Sequence, residues 1–193
     1  MSLPRPLTVG TGFDTIAHCV ETFCSNRSNL PAEGIAVAGL ENALGSKRKV
    51  GARPDDLAAR TDRMWAALCG GLAFQKGLGA VHALSHPLGA LEEPNLHHGT
   101  LIAVLLPHVL RFNRDAIGNK WEQLAGILCG DDAADPAAYR RALAHDLGVP
   151  AGFSAMGVPA ETDPAIAEQA VRDHTHATNP RLASKHDYRQ LLL

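Results

Sequence analysis

Two pairs of ligand-type side chains in this chain stand four residues apart: Asp14 with His18, and His82 with His86. On an α-helix such residues share one face, with their side chains one turn apart. Two packed helices carrying one pair each can therefore converge on a single metal ion. His97 and His98 lie close behind the second pair, so the stretch between Val81 and Gly99 holds four histidines.

The remaining periodicity is that of a helical chain. A first helix is expected from Thr11 or Gly12 through Cys24, stopped by the polar run Ser25–Asn29. A second, alanine-rich helix is expected over Pro31–Leu44, with Pro31 suited to a first turn. Pro54 opens a third over Asp55–Gly77, in which Leu57, Met64, Leu68 and Leu72 recur at helical spacing and read as core. A short histidine-bearing helix follows at Ala80–Leu91, then a buried one at His98–Phe112, with Pro87 and Pro107 as candidate kinks. Amphipathic segments at Lys120–Leu128, Pro136–Leu147, Pro164–His174 and Tyr188–Leu193 complete the set, and Gly130–Asp135 and Gly148–Pro159 read as loops. No convincing alternating strand, internal repeat or low-complexity tract is present. The predicted class is all-α, a single helical metal-binding domain over residues 1–193.

Composition narrows the function. A net charge of −2 argues against bulk binding of nucleic acid, and 5% aromatic residues argue against a base-stacking platform. The first residues lack the apolar stretch of a signal peptide, and no run of apolar residues is long enough for a membrane span, so the expected location is cytoplasmic. Cys19, Cys24, Cys69 and Cys129 lack metal-ribbon spacing and read as small buried residues. Three imidazoles and one carboxylate, with no soft thiolate, suit divalent iron or zinc. The glycines of Gly77-Leu78-Gly79 precede no βαβ unit and read as helix punctuation or close packing rather than a phosphate loop. Lys47-Arg48-Lys49 reads as a solvated helix end.

Three motifs carry a resemblance: G-F-D-T-I-A-H-C-V-E, G-L-G-A-V-H-A-L-S-H-P-L-G-A and H-H-G-T-L-I-A-V-L-L-P-H-V-L-R-F-N. With T-N-P-R at Thr178–Arg181 and Asp187-Tyr188 beyond it, the chain resembles the helical half of the iron-containing (group III) alcohol dehydrogenases over nearly its whole length. The resemblance implies the C-terminal domain type shared with dehydroquinate synthase-like proteins. It also implies a metal site of Asp14, His18, His82 and His98 for Fe2+ or Zn2+, with His97 as the substitute for His98. His86 matches a family histidine near nicotinamide and substrate, a proton relay or substrate orienter. The implied activity is NAD(P)-linked hydride transfer between a small alcohol and its aldehyde or ketone, with the metal as Lewis acid.

The family's dinucleotide-binding domain is not found in this sequence, so the chain is expected to be weakly active or inactive alone. A homo-oligomer or a separate nucleotide-binding chain is the expected partner. The alternatives are a maleylacetate reductase-like or hydroxyacid-oxoacid transhydrogenase-like half, and a non-catalytic metal-binding helical module. His108 reads as packing or a cap to the site, His97 as an exposed loop residue, and His174 and His176 as surface residues; His145 and His186 carry no signal.

Overall fold

Prolines near the start open the first helix instead of delaying it. Helix α1 runs Arg5–Cys24, several residues earlier than expected, with Pro4 as its cap and Pro6 in its first turn, where a missing N–H costs nothing. The structure, a computed structural model, describes residues 3–52, 56–130 and 135–192, and the side chains of all of these but 45–52. The Lys47-Arg48-Lys49 side chains and residues 131–134 of the expected loop lie outside what is described. Helix α2 spans Leu30–Ala52, past the expected end at Leu44, and the Asn29 carboxamide accepts the Ala32 N–H at its start. Helix α3 spans Leu57–Ala73, capped by the Asp56 side chain on Ala59 N, and a 3-10 turn at Phe74–Lys76 carries the chain to Gly77. Then come α4 at Ala80–Gly89, α5 at His98–Asn113, α6 at Lys120–Cys129, α7 at Pro136–Asp146, α8 at Asp163–Arg172 and α9 at Lys185–Leu192. Pro87 and Pro107 both sit inside their helices. The fold is all-α, with no strand among the described residues. No described helix is long and apolar enough to cross a membrane.

The core forms around α1 and α5. Helix α1 packs against α2, α3 and α5, and α5 also meets α4, α7 and α9. Phe13, Ile16 and Ala17 of α1 and Leu101, Ile102, Ala103 and Leu105 of α5 have no exposed surface. All four cysteines are buried and free, as small apolar residues would be.

Helix α3 contradicts one expectation. Leu57, Met64, Leu68 and Leu72 face outward, Met64 with 76% of its surface exposed. The inward face is made of small residues instead: Ala59, Ala66, Cys69, Gly70 and Ala73. The physical cause is close approach. A Cβ on Gly70 would stand 3.1 Å from His18 Cβ, and one on Gly39 of α2 would stand 2.7 Å from Cys19 Sγ and 2.9 Å from Cys69 Cβ. Three helices this close leave no room between them for a leucine, so the large side chains turn to the other face.

Two polar nodes tie these helices to distant parts of the chain. Lys76 is 2% exposed; its ammonium donates to the carbonyls of Thr22, Phe23 and Ser25 at the end of α1 and pairs with Glu33 at 2.8 Å. It closes the carbonyl end of α1 as a buried cation can. Burial pushes the Lys76 ammonium below the usual lysine range, against the pull of Glu33. In the second node, Asn179 of the T-N-P-R segment exchanges side-chain hydrogen bonds with Asn113 at the end of α5, and its Oδ1 accepts the Ala80 N–H.

Replacing Leu105 with alanine should cost about 2–5 kcal/mol in urea unfolding, because it empties a fully buried site. Met64→Lys should change the unfolding free energy by no more than about 0.5 kcal/mol, since it alters only an exposed side chain.

Candidate metal centre

Helices α1 and α5 cross where both carry glycine. A Cβ on Gly99 would stand 2.4 Å from the Gly10 carbonyl carbon, and one on Gly10 would meet the His97 ring at 2.5 Å. The crossing brings the start of α5 alongside Asp14. Helix α4 arrives from the other side, held at its amino end by partners from elsewhere in the sequence. Asn179 Oδ1 takes the Ala80 N–H, and Glu21 Oε1 takes the Val81 N–H at 2.7 Å, which satisfies two of the free donors of a helix start. Gly77, at φ +117°, and Gly79 let this segment lie against Thr178 and Asn179, where an added Cβ would stand 2.6 Å away. Close packing, as expected of these glycines, is their role.

Three imidazoles then surround one carboxylate oxygen. Asp14 Oδ1 lies 3.4 Å from His82 Nε2, 3.6 Å from His98 Nε2 and 3.8 Å from His18 Nε2. Single donor atoms from Asp14, His18 and His82 all fall within 4.8 Å of one another. A tetrahedral ion with bonds of about 2.1 Å sets its ligands roughly 3.4 Å apart. Asp14 Oδ1 and His82 Nε2 are buried, yet neither makes a hydrogen bond. Buried donors and acceptors are rarely left so. The donor set therefore fits a first-row divalent ion. His98 stands outside that group of three, with its Nε2 3.6 Å from Asp14 Oδ1.

Charge in the cavity is arranged for a cation. Burial alone would push Asp14 upward, but His82, His98 and His18 outweigh it and hold its carboxyl well below the usual carboxylate range. Burial would likewise depress His82, and the carboxylates of Asp14 and Glu21 outweigh that and raise it to about 9. Burial holds His18 below the ordinary imidazole range, with Asp14 opposing.

Glu21 is absent from the sequence reading. It is 4% exposed, and its Oε2 lies 2.5 Å from His82 Nδ1. A buried carboxylate on Nδ1 keeps the proton there and leaves Nε2 aimed at Asp14, the arrangement that orients metal-ligating histidines. Its signal was available, since Glu21 stands seven residues beyond Asp14 and three beyond His18, on the same face of α1.

His86 stands one turn beyond His82 on the wall of the same cavity, of about 530 Å³, which Phe74, Leu78 and His174 also line. Its ring is 5.9 Å from that of His82 and stacks on that of His98 at 6.1 Å. Its Nδ1 is 2.8 Å from Asp173 Oδ2, a partner 87 residues away that no local pattern announces. His97 is no exposed loop residue: it caps α5, covers Gly10, and sets Nδ1 3.1 Å from Thr100 Oγ1. His176 is half-buried, with Nδ1 2.9 Å from the Tyr188 hydroxyl, rather than a surface residue. His174 is exposed as expected, His145 is exposed too, and His108 is half-buried on α5.

An all-helical domain with a carboxylate and imidazoles converging on one open cavity is a candidate metal-binding domain. Residues 8–193 match the model of the Fe-containing alcohol dehydrogenase family, C-terminal, and the chain belongs to that family. It is 44% identical to 4-hydroxybutyrate dehydrogenase of Cupriavidus necator, a match covering 100% of this chain and 52% of the relative. It is 33% identical to 1,3-propanediol dehydrogenase of Citrobacter freundii, over 97% of this chain and 50% of that one. The crystal structure of a 1,3-propanediol oxidoreductase superposes with a TM-score of 0.92 at 31% identity, covering 99% of this chain and 52% of that chain. Maleylacetate reductase from Rhizobium sp. strain MTP-10005 superposes at 0.84 with 30% identity, over 99% of this chain and 53% of that one. The chain thus spans about half the length of the relatives it matches.

Gly99→Ala should force α1 and α5 apart. The expected outcome is a loss of about 1–3 kcal/mol in unfolding free energy, the usual cost of overpacking, together with weaker divalent-metal binding by calorimetry.

Proposed function

We propose that this chain is the metal- and substrate-binding half of an iron-type alcohol dehydrogenase, with Asp14, His18, His82 and His98 as the ligands of Fe2+ or Zn2+. The observation that supports it best is the approach of three imidazole Nε2 atoms to one buried carboxylate oxygen that has no hydrogen bond of its own. When bound, such an ion supplies Lewis acidity at the oxygen of an alcohol or carbonyl substrate, whose hydride partner is NAD(P). Glu21 fixes the His82 ring, and the buried setting of His82 keeps water from its far side. His86 is the proton relay: Asp173 holds its Nδ1, which leaves Nε2 for the substrate side. Phe74 and Leu78 give the cavity an apolar wall, suited to the carbon chain of a small alcohol.

Similarity to a 4-hydroxybutyrate dehydrogenase favours a short hydroxy acid as substrate, and Arg27 on the cavity wall is the guanidinium placed to meet its carboxylate. Among the described residues there is no strand and no βαβ unit to hold a dinucleotide. Productive binding of NAD(P) is therefore assigned to a nucleotide-binding half acting with this one, and the chain alone is weakly active or inactive.

The test is elemental analysis of anaerobically purified protein, with NAD(P)H binding measured on the same sample. About one equivalent of iron or zinc per chain, lost on His82→Ala and kept on His145→Ala, is the expected result. Failure to take up either metal when it is supplied, or equal loss from both variants, would overturn the reading. Glu21→Gln should weaken metal binding roughly 10- to 100-fold, the usual effect of removing the partner that orients a ligand.

A further inference from the structure

A second group of donors stands beside the first and shares none of its proposed ligands. His86, Asp173 and His174 each offer one atom, and these atoms all lie within 4.8 Å of one another. The Asp173 carboxylate is the anchor. Its side chain is only 13% exposed, and its Oδ1 accepts bonds from Thr175 N at 2.8 Å and Thr175 Oγ1 at 2.6 Å. Thr175 is itself buried, with its hydroxyl also within 3.1 Å of the Gly79 carbonyl. This carboxylate is therefore set in place before any ligand arrives. His86 Nδ1 lies 2.8 Å from its Oδ2, and His174 Nδ1 lies 3.6 Å from its Oδ1. The two imidazoles stack at 5.7 Å with planes 12° apart, one from α4 and one from just beyond α8. His174 is 82% exposed, so its ring is free to turn toward an incoming ion.

We propose that His86, Asp173 and His174 form a second divalent-cation site at the mouth of the cavity, one that takes Zn2+ or a similar first-row ion. Two imidazole nitrogens and a carboxylate oxygen suit such an ion, and the solvent side leaves its other positions to water. A cation bound there takes the His86 ring away from the main site, where it is the proton relay. The second site is therefore inhibitory.

The experiment is titration of the metal-stripped chain with Zn2+ alone, by calorimetry and by metal analysis after equilibrium dialysis. Two equivalents are expected in the unmodified protein. His174→Ala, a change at an exposed side chain that leaves the fold alone, should keep the first equivalent and weaken the second roughly tenfold or more. Asp173→Asn should do the same, whereas His82→Ala should lose the first equivalent and keep the second. A single equivalent in the unmodified protein that His82→Ala removes and His174→Ala leaves at full affinity overturns the proposal. So does a second equivalent that survives both His174→Ala and Asp173→Asn at full affinity, or that His145→Ala weakens equally. A single equivalent in the unmodified protein that His174→Ala and Asp173→Asn weaken, and that His82→Ala leaves unchanged, would count against the main-site reading and leave this one standing.

Discussion

The distance between α1 and α5 is the constraint on which the rest of the site depends. Gly10 and Gly99 lie so close that either Cβ would overlap the neighbouring helix or its cap. Four residues after Gly10 comes Asp14, and one residue before Gly99 comes His98, so the crossing sets the separation of two of the four donors directly. The other two proposed ligands follow from it. His18 is one turn along α1, and Glu21, one turn further, reaches across to hold both the Val81 N–H and the His82 ring. A single face of α1 thus supplies a carboxylate donor, an imidazole donor and the carboxylate that aims the next imidazole.

Much of this was legible in the sequence because it is local. Spacing by four placed Asp14 with His18 and His82 with His86, and the absence of alternating patterns marked the chain as all-helical. The relation of His98 to Gly99 favoured it over its neighbour His97, whose ring lies over Gly10 with Nδ1 3.1 Å from the Thr100 hydroxyl. What sequence reading missed is mostly non-local. Asp173 meets His86 across 87 residues, and Asn113 meets Asn179 across 66. No periodicity reports such pairs. Glu21 is the exception, since its place on the Asp14–His18 face was there to be seen.

Helix α3 shows a different limit. Periodicity identified a stripe of large apolar residues but not the direction in which it faces. The decision lay with glycine, alanine and cysteine on the opposite side, whose small size lets α1, α2 and α3 approach so closely that Gly39 touches Cys19 and Cys69. Side-chain volume, rather than hydrophobicity, chose the buried face. The outward stripe, with Trp65 beside it, is apolar surface of a kind that soluble monomers tend to keep small.

The hydrogen bonds from the T-N-P-R segment have a consequence for the order in which the molecule can assemble. Thr175, Thr178 and Asn179 hold Gly79, Leu78 and Ala80 in place at the head of the histidine helix. During synthesis on the ribosome, α1, α4 and α5 emerge well before the residues that fasten α4. Until Asn179 has emerged, the Ala80 N–H lacks the acceptor that the folded chain gives it. The placement of the histidine helix thus waits on residues about a hundred positions further along the chain.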